Sequence, residues 1–332
     1  MSAHRLTIIV PTFNRCACLE LLLCHLKEEL QPFEKDVLVY VADNASTDGT
    51  STFIKKIIGD WPEMICYRHS NNVGADRNFI HCVSQVRTKW FWIIGDDDLP
   101  KRGVIAQLLN ILQDRQPALL YMQNESMNLV MSAKQGEPVG EFQIAELDAL
   151  SFLKIVNTWV TFISGMVVNR DKLIGALQGQ QLNRFDGTSL VQLGWILPLV
   201  NTSGPFLLVR NRGILVKAGN TGGYQVLKTF SVNFPSIVRE FFGNNKLFRK
   251  SIINQHIIKY LPGLIWHVRF GNLGNFQSED KDLQHLIREQ LGKYPLYWIT
   301  VWPIMNLPKF LAWSFYGFAR VISKIITKID NF

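Results

Sequence analysis

The 332-residue sequence lacks the marks of several large functional classes. No GxGxxG follows its first apolar segment, which disfavours a dinucleotide fold. No GxxxxGK[ST] occurs, so phosphates are not held by a P-loop. No GxSxG occurs, which counts against an α/β-hydrolase. Cysteine is sparse. Cys16, Cys18, Cys24, Cys66 and Cys82 are odd in number and show no CxxC pair or Cys/His ligand spacing. Neither a zinc site nor a disulfide framework is indicated, and a reducing compartment fits such usage. No charged-then-apolar leader precedes Leu6, so no secretory signal is expected. Internal repeats, low-complexity tracts and a clear linker are all missing, as is an aromatic-basic RNA motif.

What is present is a core and an excess of positive charge. Apolar residues make up 47%, enough for one large or two ordinary domains. A formal net charge of +8 and a pI of about 9.2 favour an anionic partner. Nucleic acid, a nucleotide substrate and an anionic membrane surface all qualify.

The first 122 residues alternate between two periods. Leu6 to Val10 is a β-branched run stopped at Pro11-Thr12-Phe13-Asn14. Leu19, Leu22, Leu23, Leu26 and Leu30 then recur at helical spacing. Strands are expected at Val37–Ala42, Met64–Tyr67, Trp90–Ile94 and Ala118–Met122, with helices between them. Such alternation with short connections signals a mostly parallel sheet covered on both faces. Its polar clusters all fall at strand carboxyl ends: Pro11-Thr12, Asp43, Asn71 to Asn78 and Asp96 to Asp98. They are expected to converge on one rim. Further on, Glu125–Gly140 reads as loop, Glu146–Val156 as helix and Trp159–Val168 as a strand interrupted at Gly165. Leu190–Val200 reads as an apolar helix and Phe206–Val216 as a pair of short hairpin strands.

Trp90-Phe91-Trp92-Ile93-Ile94-Gly95-Asp96-Asp97-Asp98 concentrates the chemistry. A buried strand ends at a glycine, and three carboxylates follow where an open α/β sheet binds ligands. Adjacent acids repel and need a cation or solvent to offset them. On an extended backbone Asp96 and Asp98 share a side, with Asp97 opposite. Two hard oxygen ligands suit Mg²⁺ or Mn²⁺ completed by waters and substrate phosphates. The competing reading is a solvated acidic turn capping the helix after Lys101. Arg77 is a candidate phosphate ligand or an ordinary solvated helix-face arginine.

Four motifs then carry a resemblance. Val10-Pro11-Thr12-Phe13-Asn14-Arg15, Ala42-Asp43-Asn44-Ala45-Ser46-Thr47-Asp48-Gly49-Thr50, Asn72-Val73-Gly74 with Asn78, and Gly95-Asp96-Asp97-Asp98 resemble the family 2 inverting glycosyltransferases of the GT-A fold. The likeness spans about residues 5–200, and within that family the chain is similar to bacterial O-antigen abequosyltransferases. It implies an α/β, GT-A type fold: a mostly parallel, Rossmann-like sheet flanked by helices, with a helical C-terminal extension. The expected organisation is a catalytic domain over 1–218, with a nucleotide-binding half at 1–122 and an acceptor-side half at 123–218. A helical, aromatic and basic region over 219–332 follows.

The resemblance also implies roles. Pro11 and Thr12 would line the nucleoside pocket, and Asp43 would hydrogen-bond the pyrimidine ring. Arg77 would approach the diphosphate, Asp96 and Asp97 would contact the donor, and Asp98 would ligate Mg²⁺ or Mn²⁺. The family's base is often Glu-Asp at a helix start. That place is taken here by Phe185-Asp186-Gly187-Thr188, which leaves Asp186 as the candidate base or as a plain turn aspartate. The implied reaction moves a sugar, with abequose from CDP-abequose as one candidate, to a hydroxyl of a lipid-linked oligosaccharide.

The tail is crowded with aromatics from Tyr294 to Trp302. Lys309, Arg320, Lys324 and Lys328 are then set among Phe310, Trp313, Phe318 and Ile325. The apolar run between Lys293 and Lys309 is interrupted by proline and falls short of a ~20-residue span. An in-plane helix on an anionic membrane surface is expected, on the cytoplasmic face of the inner membrane, the alternative being a helix packed on the catalytic domain. Two other functions compete. A sugar-nucleotide pyrophosphorylase would need a glycine-rich basic loop at Pro11–Arg15, and no glycine is there. A non-catalytic nucleic-acid-binding protein would explain the charge, but the basic residues are spread along the chain, so no nucleic-acid partner is expected.

Overall fold

A computed structural model describes residues 4–127, 137–217, 224–271 and 281–330. The chain divides into two units. The first comprises residues 1–149, 160–187 and 191–218, and the second 150–159, 188–190 and 219–332. The partition is therefore not a single cut after residue 218, because two short segments of the middle of the chain belong with the C-terminal helices.

The first unit is built on strands β1 (Leu6–Thr12), β2 (Val37–Asp43), β3 (Met64–Arg68) and β4 (Trp90–Ile93), in the order β3-β2-β1-β4, all parallel. Helices α1 (Cys16–Leu30), α2 (Thr50–Ile58) and α3 (Ala75–Gln85) are the crossovers. β1 is buried along its whole length, which suits a continuous apolar run covered on both faces. The leucines of α1 bury as their helical spacing requires. β1 has β2 on one side and β4 on the other, so the chain changes direction there. A crevice opens at such a switch point, outside the strand ends.

The rest of the sheet is mixed. β5 (Asp98–Pro100) and β7 (Ile144–Leu147) pair antiparallel with β9 (Phe206–Lys217). β8 (Met166–Asn169) lies antiparallel between β4 and β6 (Leu119–Met127), and β6 runs parallel to β9. Helix α4 (Val104–Arg115) joins β5 to β6.

Four sequence expectations are corrected here. Phe206–Val216 is one strand, not a hairpin pair. The polar stretch Arg210 to Gly213 is absorbed as register shifts against Met122, Gln123 and Asn124 instead of a reversal. Trp159–Val168 is not a long strand: Asn157–Thr161 and Ile163–Gly165 form tight 3₁₀ turns before β8. Asn157 has a positive φ of 49°, and a Cβ at Gly165 would lie 2.8 Å from Phe162 and Tyr121 and 2.9 Å from the Met122 carbonyl. Extended backbone is interrupted at one end and crowded at the other. Glu146–Val156 opens as strand β7 before the helix Ala149–Val156 begins. Of the loop expected over Glu125–Gly140, residues 125–127 continue β6, and 128–136 fall outside the described residues.

The second unit is helical. Helices Phe234–Phe242, Lys246–Lys259, Leu261–Phe270, Lys281–Leu291 and Lys309–Asp330 are its longer members. Among the described residues, no helix is long and apolar enough to cross a membrane. A buried histidine ties the segment 150–159 to these helices. His256 Nε2 donates to the Phe230 carbonyl at 2.7 Å, and its Nδ1 lies 2.6 Å from Thr158 Oγ1. Asn157 Nδ2 donates to the Ile252 carbonyl beside it.

Burial pushes the His256 pKa down to about 3 from its ordinary 6.5, with the Phe230 hydrogen bond opposing weakly. The folded protein therefore refuses a proton that the unfolded chain accepts. The associated stability is complete above the ordinary histidine pKa and is lost as pH falls from there toward 3. Urea titrations at pH 7.5 and 5 are expected to show His256→Gln narrowing this difference, by up to about 1.4 kcal/mol per pH unit. An equal pH slope in both proteins would show that His256 is not the group responsible.

Candidate active site

Thr12 ends β1 beside the turn that follows β4. Its hydroxyl donates to Asp96 Oδ2 at 2.7 Å. Arg15 Nη1 bridges Asp96 Oδ1 at 3.1 Å and Asp97 Oδ2 at 2.8 Å. Asp98 is held elsewhere: Ser164 Oγ donates to its Oδ2 at 2.5 Å. Asp96 and Asp97 lie on a turn closed by the Asp98 amide on the Gly95 carbonyl, and Asp98 opens strand β5. The alternation expected for Asp96, Asp97 and Asp98 is thus replaced by a division between two partners, Arg15 and Ser164.

All three carboxylates are buried. Burial pushes Asp96 up to about 6, against the pull of Arg15 and Thr12. It pushes Asp98 up to about 7, against the Ser164 hydrogen bond, with Asp97 and Asp96 adding to the rise. An acid cluster this far from water is a sink for positive charge. Gly95 leaves room for it, since a Cβ there would sit 3.2 Å from both Asp97 Oδ1 and Asp98 Oδ2.

The neighbouring loops are stitched together. Pro11 pairs with Ala42 and Thr12 with Asp43 in the β1–β2 register. Asp43 is almost wholly buried. Its Oδ1 accepts from the Ser46 amide at 2.8 Å, and its Oδ2 forms an ion pair with Arg68. Ser46 Oγ accepts from the Asn14 amide at 2.9 Å, and Asn14 Oδ1 accepts from the Thr47 amide at 2.7 Å. Asn44 reaches the third loop, donating to Asn72 and accepting from the Val73 amide. Asn78 Nδ2 donates to the Ala42 carbonyl. The first three predicted polar clusters therefore share one hydrogen-bonded rim, joined to the acid turn through Thr12.

Arg77 and Asp186 are placed against each other, Arg77 Nε donating to Asp186 Oδ2 at 3.1 Å. Arg77 is exposed near the start of α3, and Asp186 is half-buried on the turn completed by Gly187 at a positive φ of 81°. The candidate phosphate ligand and candidate base form one ion pair. Three further residues escaped the sequence reading: Arg15, Arg68 and Ser164. Arg15 stood inside the first quoted motif. Ser164 lay in a segment expected to be strand.

Among the described residues, no group of three or more His, Cys, Asp or Glu is arranged to hold a metal ion. The donors do fit a hard cation completed by substrate. Asp98 Oδ1 accepts no hydrogen bond among the described residues, while Oδ2 is fixed by Ser164. Mg²⁺ commonly takes one or two carboxylates plus phosphates and waters.

Residues 7–130 match the family described as Glycosyl transferase family 2. Over that stretch, about a third of the sequence, the chain is similar to this family. Abequosyltransferase RfbV of Salmonella typhimurium is 34% identical over 111 residues, which is 33% of this chain and 33% of that protein. The matched stretch thus spans about a third of the curated relative. Among solved structures, S. aureus TarS 1-349 superposes with a TM-score of 0.60 at 13% identity, covering 96% of this chain and 91% of that one. Mannosyltransferase PcManGT from Pyrobaculum calidifontis, in complex with GDP-Man and Mn²⁺, gives 0.54 at 15%, covering 96% and 86%. TarS 1-349 is also known in complex with UDP-GlcNAc. These likenesses establish the fold, a GT-A type α/β architecture with a helical C-terminal region. Within the matched stretch, the acid turn after β4 and the rim at the ends of β1 and β2 are contiguous.

Proposed function

We propose that this chain is an inverting glycosyltransferase. It moves a sugar from a nucleoside-diphosphate sugar to a hydroxyl of a lipid-linked glycan in O-antigen or related surface-polysaccharide synthesis. Abequose or another dideoxyhexose from a CDP-sugar is the donor suggested by the relative's name. The observation that carries the reading is the buried acid turn, which abuts the Thr12–Asp43 rim inside the stretch similar to family 2.

Pro11, Thr12 and Asp43 form the nucleoside side of the site, with Asp43 oriented by Ser46 and Arg68. Asp96 and Asp97 face the donor through the charge of Arg15. Asp98 Oδ1 is the oxygen left for Mg²⁺ or Mn²⁺. The ion, when bound, offsets charge building on the leaving diphosphate as a Lewis acid. Arg77 supplies a guanidinium to the same phosphates. Asp186 takes the proton from the acceptor hydroxyl, which is a poor nucleophile until a positioned carboxylate receives it. Displacement from the opposite face inverts the anomeric carbon.

Two variants separate these roles. Asp98→Asn is expected to abolish turnover and metal-dependent donor binding while leaving the fold intact. Asp186→Asn is expected to keep donor binding and to lower turnover by roughly 10²–10⁴-fold. Both are read by isothermal titration with CDP- and UDP-sugars, with and without Mn²⁺, and by release of nucleoside diphosphate. Full turnover of Asp98→Asn in excess chelator refutes the metal role. A loss below about tenfold in Asp186→Asn assigns the proton to another group.

The acceptor side includes an anionic membrane surface, on the cytoplasmic face. Helix Lys309–Asp330 supports this by the way it is turned. Ala312 and Ala319 are buried, while Phe310, Leu311, Trp313, Phe318, Val321 and Ile325 are exposed. An ordinary surface helix does the reverse. Each exposed large side chain forgoes about 1.5–3 kcal/mol of burial. At helical periodicity Lys309, Arg320 and Lys324 fall on a flank with Trp313, next to the apolar flank. That is the pattern of an in-plane membrane helix, where each basic residue gains about 1 kcal/mol near an anionic leaflet. Replacing Phe310, Trp313 and Phe318 together by Ser is expected to release the protein from anionic vesicles in flotation, with donor binding unchanged. Absence of the wild-type protein from the floating fraction at every salt concentration refutes the membrane reading.

A further inference from the structure

We propose that Ser164 is a positioning residue for Asp98, and that its hydroxyl selects which carboxylate oxygen is presented to the cation. The inference rests on the reading of Asp98 as the metal ligand. Nothing in the four motifs points to Ser164, which lies 66 residues further along the chain.

Ser164 is fully buried and uses its hydroxyl twice. It accepts from the Gly95 amide at 2.9 Å and donates to Asp98 Oδ2 at 2.5 Å. A serine hydroxyl has one proton, so accepting from Gly95 aims that proton at Asp98. The bond fixes Oδ2 and leaves Oδ1 without a protein donor among the described residues. Ser164 is in turn fixed from behind. Trp92 Nε1 donates to the Ser164 carbonyl at 2.7 Å, from a fully buried indole on β4. Gly165 is wedged against Tyr121, Phe162 and the Met122 carbonyl, with no room for a Cβ. The 3₁₀ turn Ile163–Gly165 therefore has little freedom to move, and its one hydroxyl spans both ends of the acid turn, Gly95 and Asp98.

A carboxylate that binds a cation through one oxygen is directed by what holds the other. Without Ser164 the Asp98 side chain is free to rotate toward the Gly95 amide, whose partner is lost in the same change. Hydrogen-bonded partners of this kind commonly contribute 10–100-fold in metal affinity.

The test is Mn²⁺ binding to full-length protein, followed by the electron paramagnetic resonance of free Mn²⁺ with CDP or UDP present. Ser164→Ala is expected to weaken Mn²⁺ binding about 10–100-fold. The Mn²⁺ concentration for half-maximal turnover rises by the same factor, and kcat is regained at saturating Mn²⁺. Ser164→Cys keeps the side-chain size but is a weak donor, and shows the same loss if the alanine variant melts early. Ser164→Thr restores the hydroxyl and most of the affinity. Wild-type affinity in both folded Ala and Cys variants overturns the role of Ser164 and leaves the metal reading standing. Absence of Mn²⁺ binding by wild-type protein with either nucleotide overturns both.

Discussion

Three carboxylates buried on one turn are the constraint around which the first unit is arranged. Asp96, Asp97 and Asp98 are each less than 10% exposed. Ionised acids cannot be withdrawn from water without partners, and the available ones come from distant parts of the chain. Arg15 and Thr12 come from the end of β1 and the residues after it, and Ser164 from the turn before β8. The pairing of β1 with β4 is what brings the first two within reach, and the pairing of β8 with β4 brings the third. Even so, Asp96 and Asp98 are left well above the usual carboxylate range by burial. The cluster is thus held by hydrogen bonds at every acid, leaves Asp98 Oδ1 without a donor among the described residues, and is short of positive charge.

The rim beside it is rigid for a different reason. The loops after β1, β2 and β3 have few apolar residues to pack, so they are held by amide side chains: Asn14, Asn44, Asn72 and Asn78. Asn14 and Ala45 adopt positive φ values of 53° and 63°, the second unusual for alanine. Strain of that kind persists only where surrounding bonds over-determine the backbone. Here Ser46 does so, bonding to Asn14, Asp43 and Arg68 at once.

The parts of the molecule that the sequence revealed are those where one residue pattern has one structural meaning. The buried runs of β1, β2 and β4 and the leucine spacing of α1 were of this kind, as were the polar clusters closing each strand. What was hidden depended on partners far along the chain. The polar stretch Arg210 to Gly213 interrupts the apolar run, yet Phe206–Lys217 continues as one strand beside β6 through register shifts. Trp159–Val168 is apolar enough for a strand, but close packing at Gly165 and the left-handed Asn157 decide otherwise. Asp96 and Asp98 were assigned a common side by assuming extended backbone, and a turn intervened. The roles of Arg15 and Ser164 are hidden in the sequence because a side chain's partner is a tertiary fact, which no spacing in one segment encodes.

The helical unit shows the same logic in reverse, since its informative feature is a missing partner. Ala312 and Ala319 let helix Lys309–Asp330 approach its neighbours closely, and Tyr316 stacks on Trp266 with ring centroids 4.9 Å apart. The inward side of the helix also carries half-buried Phe315, Ile322 and Ile326. Phe310, Leu311, Trp313, Phe318, Val321 and Ile325 are instead largely exposed. If their role were only to stabilise the unit, they would have to face inward, where the alanines are. A single exposed apolar side chain needs no explanation, but six on one helix, flanked by lysine and arginine, do. Solvent penalises such a face, and an anionic interface rewards both of its flanks at once.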